Sequence, residues 1–173
     1  AAEGHEFLIV ELGGTVGDIE GLPFMESIRA IRHELPKTNT MNIHVTLIPY
    51  IAAAGELKTK PTQHSVQELR RIGITPHMLV CRTERSLPKN LKAKLAMSCD
   101  IDNNAVIEAG DAQSIYQVPL HFIKEGIINP LSDHFNIKIK PNMEKWDTLV
   151  KNILVPQDEL TIAFVGKYLE LKE

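Results

Sequence analysis

The chain has 173 residues, 43% of them apolar and 24% charged, the proportions of an ordinary one-core globular domain and not of a disordered chain. Nineteen Lys and Arg against 22 Asp and Glu leave a formal charge of −3, without the basic excess of a general nucleic-acid binder. Two cysteines are too few for a disulfide framework, and the longest apolar-leaning run, residues 45–54, contains Thr46 and Pro49 and is too short for a bilayer.

The first five residues lack the basic start and apolar run of a signal peptide. A soluble, cytoplasmic protein is expected, with neither nucleic acid nor membrane as partner. Phe7–Val10 is a continuous apolar run, the pattern of a strand buried on both faces, and predicts a central first strand. Glu11 follows it, and then three glycines within residues 13–17. Pro23 suits a first helical turn, Phe24, Ile28, Ile31 and Leu35 recur at helical spacing, and Pro36 ends the run.

Ile43–Tyr50 predicts the next strand. A helix follows, its start placed at the capping box Ser65-x-x-Glu68 and its end at Gly73. Met78–Val80 predicts a strand, Pro88 opens a helix carrying Leu91 and Leu95, and Ala105–Ile107 predicts a short strand. Residues 114–127 and 142–154 read as helices, and Leu160–Val165 as a last strand. The alternation predicts an α/β fold: an open, mostly parallel sheet of about five strands with helices on both faces.

In such sheets ligands bind beyond the carboxyl ends of the strands, which directs attention to the loops. Glu11 there is either a ligand for a hard cation beside a phosphate or a solvated acid before a tight turn. Asp18 and Glu20 either accept hydrogen bonds from a nucleoside or cap the helix that opens at Pro23. Lys58-Thr59-Lys60-Pro61-Thr62-Gln63 puts two ammonium groups, hydroxyls and an amide before a helix N-terminus, chemistry suited to a polyphosphate, with a solvated basic loop as the alternative. Arg82, Arg85, Lys92 and Lys94 form a second basic group, for which solvated helix lysines are the default reading. Asp111 follows a strand, where turn and cap roles are the default. The seven histidines show no metal-site spacing, and neither Cys81 nor Cys99 has a nucleophile's context.

Taken together, Glu11-Leu-Gly-Gly-Thr-Val-Gly-Asp-Ile-Glu20 with Leu22-Pro23-Phe24, and Gly55-Glu-Leu-Lys-Thr-Lys-Pro-Thr-Gln-His-Ser-Val66, resemble the signature stretches of the CTP synthase family. Ile72-Gly73-Ile74, Cys81-Arg82, Ala105–Ile107, Ser114–Tyr116 and Val165-Gly-Lys-Tyr168 come after them in family order. The resemblance implies a P-loop-like synthetase domain and an ATP-dependent ligase that aminates UTP to CTP with ammonia from glutamine. It implies that Glu11 binds magnesium and that Asp18, Ile19, Glu20, Lys58, Thr59, Lys60, Pro61, Thr62, Gln63 and Lys94 bind UTP or inhibitory CTP. Lys58 is expected to be catalytic. Arg82, Gly110, Asp111 and Ala112 are expected at ATP; many relatives carry lysine at position 110, so the glycine leaves a backbone contact there.

The family's phosphate loop lies ahead of the equivalent of Glu11, and its glutaminase cysteine lies beyond residue 173. Residues 1–135 are therefore expected to be the C-terminal part of the synthetase domain, its N-terminal part missing, with 136–158 a linker and 159–173 the first strand of a glutaminase domain. This piece is expected to be inactive by itself, and the whole enzyme to be a dimer or tetramer. The competing expectations are another P-loop-like ligase of the dethiobiotin-synthetase type and a non-catalytic receiver-like module; the Lys58–Ser65 stretch argues against the first, the phosphate-suited loops against the second.

Overall fold

A computed structural model describes residues 4–167; residues 168–173, the end of the expected glutaminase segment, lie outside the described residues. Its centre is a three-stranded parallel sheet in the order β1-β4-β5, formed by β1 (Ile43–Leu47), β4 (Met78–Thr83) and β5 (Val106–Gly110). The register places Val45 beside Val80 and Val80 beside Ile107. Two short strands, β2 (Tyr50–Ile51) and β3 (Glu56–Leu57), form a separate antiparallel hairpin after β1. The helices are α1 (Leu22–Glu34), α2 (Lys60–Arg71), α3 (Lys89–Cys99), α4 (Val118–Lys124), α5 (Ile128–Phe135) and α6 (Glu144–Leu154). None of the described helices is long and apolar enough to cross a membrane.

β4 is the middle strand, which accounts for its nearly unbroken apolar run. Leu79 and Cys81 face a core shared with Val66 of α2 and Leu95 and Cys99 of α3. Met78 and Val80 face the opposite core, closed by Phe122 of α4 and Leu131 of α5. Helices therefore cover both faces, as the alternation of elements predicts.

Three expectations are corrected. Phe7–Val10 is not a central strand: the segment is exposed, Ile9 to 92%, and its ring contact is Phe7 edge-on to Phe135 at 5.7 Å. Apolar side chains give a segment a reason to be buried, but a strand also needs a neighbour for its N–H and C=O groups; the described sheet offers it none, and β4 holds the centre instead. Leu160–Val165 is likewise exposed and outside any sheet, for the same reason, so among the described residues the parallel sheet has three strands and not about five. The predicted cap at Ser65 lies inside α2, because Pro61, pre-set for the first turn, starts the helix five residues earlier at Lys60.

Smaller shifts obey the same logic. Residues 114–127 break into a Ser114-capped 3-10 turn and α4, and Gly126 at φ 85° separates α4 from α5. In the expected linker, α6 is docked: the Trp146 indole donates to the Tyr116 carbonyl at 2.6 Å, and Val150 is buried.

Candidate functional site

The carboxyl ends of β1, β4 and β5 point toward one side of the sheet, as parallel pairing requires. After β1, the Ile48 N–H donates to the Arg82 carbonyl at 2.8 Å, and the Lys58 N–H to the Pro49 carbonyl at 2.9 Å. These two bonds close the β2–β3 hairpin against the end of β4. Gly55, at φ 65°, makes the turn that returns the chain to Lys58. α2 starts immediately afterwards, and no side chain caps its first turn. Lys58, Lys60 and Pro61 are exposed there, whereas Thr59 and Thr62 are buried.

The motif thus divides. Its lysines face solvent beside a helix N-terminus, whose partial positive charge adds to theirs. Its threonines hold the loop. Thr59 Oγ1 accepts the Gln63 Nε2 donor at 3.2 Å, and Thr62 Oγ1 donates to the Leu47 carbonyl at 3.1 Å.

Two further charges join this cluster. The Lys58 ammonium contacts Glu56, and Lys94 of α3 acts on the same carboxylate. The hydrogen bond from Lys58 holds the Glu56 carboxyl below the usual range, with the charges of Lys58 and Lys94 adding to it. Lys94, 36 residues further along the chain, is thus near enough for its charge to act on the Glu56 carboxylate. Arg85, from the loop after β4, lies over the Tyr50 ring at 5.1 Å and closes the hairpin's other side. Sequence reading missed the placement of Glu56 and Tyr50; the position of Glu56, two residues before Lys58, was the available signal.

One strand over, Arg82 pairs with Asp111 at 3.1 Å, and Thr83 lies in register with Gly110. Arg82, Gly110, Asp111 and Ala112 thus occupy neighbouring positions at the ends of β4 and β5. A side chain at Gly110 would meet only Glu108 Oε1, at 3.6 Å, so the backbone there is open to approach. Lys92 is not part of this group: it pairs with Glu125 at 2.5 Å, the two side chains 21% and 28% exposed, tying α3 to the end of α4.

Glu11 through Glu20 form an exposed loop. The Asp18 carboxylate folds back onto the Thr15 N–H at 3.0 Å, a turn role, while Ile19 and Glu20 are exposed in a short 3-10 turn leading into α1. Among the described residues no group of three His, Cys, Asp or Glu side chains converges on a metal position. Glu11 alone fits the habit of magnesium, which takes one or two carboxylates and completes its shell with phosphate oxygens and water. Cys81 and Cys99 are buried, and burial pushes the Cys81 thiol up to about 12, so it is no nucleophile.

At the opposite ends of the strands lies a groove of about 840 Å³, lined by His77, His134, Asp100, Asp102 and Asp133 among others. No Lys or Arg lines it, so its charge is the wrong sign for a phosphate. The cationic end of the sheet is the candidate nucleotide site.

Residues 1–137 match the family model for the CTP synthase N-terminus. The chain belongs to the CTP synthase family. It is similar to CTP synthases of Campylobacter jejuni subsp. doylei (62% identical over 174 residues), Wolinella succinogenes (65%) and Sulfurimonas denitrificans (63%). Each alignment covers all of this chain but 32% of the relative, so the chain spans about a third of the length of the curated CTP synthases it matches. The matched region is the family's N-terminal part, which corrects the placement of residues 1–135 in the C-terminal part of the synthetase domain. The dethiobiotin-synthetase and receiver-like readings are set aside by the same match.

Proposed function

We propose that this chain supplies nucleotide-binding surface to a glutamine-hydrolysing CTP synthase, an ATP-dependent ligase that aminates UTP to CTP. The observation that carries the reading is the pair of exposed lysines, Lys58 and Lys60, at the uncapped start of α2 beyond the carboxyl end of β1. A nucleoside triphosphate carries about four negative charges, and charge-assisted hydrogen bonds from lysines are its natural partners. Lys58 binds these phosphates and also stabilises charge that develops during phosphoryl transfer, as preorganised cations do. Lys60, Lys94 and the Gln63 side-chain amide hold the UTP or CTP phosphates, Pro61 stiffens that loop, Thr59 and Thr62 support it, and Asp18, Ile19 and Glu20 meet the pyrimidine nucleoside.

Arg82, Asp111 and the backbone at Gly110 and Ala112 receive ATP. Glu11 would hold a magnesium ion, whose charge would neutralise phosphate oxygens. We read residues 1–135 as synthetase domain, 136–158 as linker and 159–173 as the start of the glutaminase domain that supplies ammonia. The pyrimidine site is shared between subunits of a cytoplasmic dimer or tetramer, which accounts for a loop at Asp18–Glu20 that makes its hydrogen bonds only within its own turn.

The test is UTP saturation kinetics of Lys58→Ala and Lys60→Ala in the full-length enzyme. Each loses charge-assisted bonds worth about 1.5–3 kcal/mol, so UTP half-saturation rises roughly 10- to 150-fold. Use of glutamine stays nearly unchanged. A shift below about threefold in both variants would withdraw the phosphate assignment.

A further inference from the structure

We propose that Thr46, acting through Thr62, is a positioning residue for the triphosphate end of the UTP site, with His44 and Ser65 as a second pin one helical turn away. The proposal rests on the reading of Lys58–Gln63 as the phosphate loop. β1 alternates, and the face it turns toward α2 carries two polar residues, His44 and Thr46, each 8% exposed. Apolar residues are the default at such positions, since burying a polar group without a partner is costly. Both have partners, and both partners are on α2. Thr46 Oγ1 lies 2.5 Å from Thr62 Oγ1, and His44 Nε2 lies 2.8 Å from Ser65 Oγ.

Counting protons gives the first pin a direction. The Leu47 carbonyl can only accept, so the Thr62 hydroxyl donates its one hydrogen there. The Thr46 hydroxyl must then donate to Thr62, producing a chain that runs Thr46 to Thr62 to the end of β1. This chain closes on the carboxyl end of the strand, where the candidate site lies.

Two pins fix what apolar packing leaves loose. A hydrophobic contact is non-directional and tolerates a small slide or roll of a helix on its sheet. Hydrogen bonds at Thr62 and Ser65, three residues apart on α2, specify its axial position and rotation together. Thr62 is two residues from Lys60 and adjacent to Pro61, whose ring stiffens the backbone between them. The first pin therefore sets where the Lys60 ammonium and the first-turn N–H groups stand, without touching a ligand. It also gives the buried Thr62 hydroxyl a role that leaves it out of the ligand's contacts.

The experiment compares Thr46→Val, Thr46→Ser and Lys60→Ala in the full-length enzyme, measuring UTP half-saturation, ATP half-saturation, kcat and Tm. Valine keeps the shape of threonine and removes the hydroxyl; serine keeps the hydroxyl. Thr46→Val is expected to raise UTP half-saturation roughly threefold to tenfold, the equivalent of one lost hydrogen bond. ATP half-saturation and kcat stay within about twofold, and Thr46→Ser restores UTP affinity. A lowered Tm with UTP half-saturation unmoved, or a serine variant no better than valine, overturns the proposal. If Thr46→Val does not accumulate, Ser65→Ala tests the second pin with little loss of packing, and an unchanged UTP half-saturation there overturns it equally. Lys60→Ala separates the two levels. If it weakens UTP while Thr46→Val does not, only the positioning role fails; if it leaves UTP unaffected, the phosphate loop itself is refuted and the positioning role with it.

Discussion

Acidification between pH 6.5 and 4 should unfasten the amino-terminal ends of β1 and β4 through a single side chain, His77. Its Nδ1 accepts the Asn42 N–H at 2.9 Å, so the ring is neutral with its proton on Nε2. His134 packs against it with ring centroids 4.6 Å apart, and Nε2 of His134 donates to the Thr40 carbonyl at 2.9 Å. The pair thus joins the approach to β1, the start of β4 and α5. Burial lowers the His77 pKa from 6.5 to about 4, with the charges of His134 and Arg32 assisting. A second proton on Nδ1 would set N–H against N–H and remove the bond to Asn42.

The unfolded chain binds this proton below pH 6.5, whereas the folded chain resists it down to about pH 4. The unfolded state therefore holds more protons through that window, and stability falls as the pH falls. With 1.36 kcal/mol per pKa unit, about 2 kcal/mol is lost by pH 5 and about 3 kcal/mol by pH 4. That is a large share of a typical domain's 5–15 kcal/mol (a rough range). The comparison is His77→Asn, whose amide oxygen can accept the Asn42 N–H and does not titrate. Urea unfolding of both proteins from pH 7.5 to 4 should show the native protein losing about 3 kcal/mol relative to the variant. Parallel stability curves, or a His77 ring that titrates near 6.5 by NMR, would refute the reasoning.

The other expected outcomes stem from burial and backbone geometry. Cys81 and Cys99 should resist thiol reagents at pH 8 until the protein unfolds, and rapid labelling of the native protein would contradict this. Because the folded Cys81 thiol is held at about 12 against an ordinary 9, its contribution to stability is complete below pH 9 and declines as the pH rises from there, measurable as a falling urea midpoint. Gly73→Ala should cost about 1–2 kcal/mol, since its φ of 87° is left-handed and an added Cβ would stand 3.0 Å from Arg29 Cδ. Gly21→Ala, with open space and ordinary backbone, should stay within about 0.5 kcal/mol, and thermal-shift measurement of both glycine variants checks the contrast.

The loop residues of the candidate site were legible because their chemistry is local. A stiff segment with two lysines, hydroxyls and an amide at a helix start reads as phosphate chemistry wherever the chain goes. What was not legible is which of those groups face outward. Thr59 and Thr62 carry the same functional group as many ligand contacts, and only the packing of α2 on β1 turns them inward. Lys94 and Lys92 are equivalent by sequence, two lysines two residues apart on one helix. The fold pairs Lys92 with Glu125 and leaves Lys94 where its charge reaches Glu56, because successive helix positions point about 100° apart.

The sequence by itself determined the element types wherever the signal is contained within a few residues. Pro23 and Pro61 mark the opening turns of α1 and α2, Gly73 ends α2, and the apolar run beginning at Met78 belongs to a strand covered on both sides. Tertiary structure alone decided which apolar runs became strands. Phe7–Val10, Met78–Thr83 and Leu160–Val165 are similar in composition, yet only the second lies between two neighbours that take up its backbone N–H and C=O groups. It also decided that His44 and Thr46 point to the helix and Val45 away from it. A strand's alternation says that neighbours face opposite sides, but which side is inside depends on the helix that arrives there.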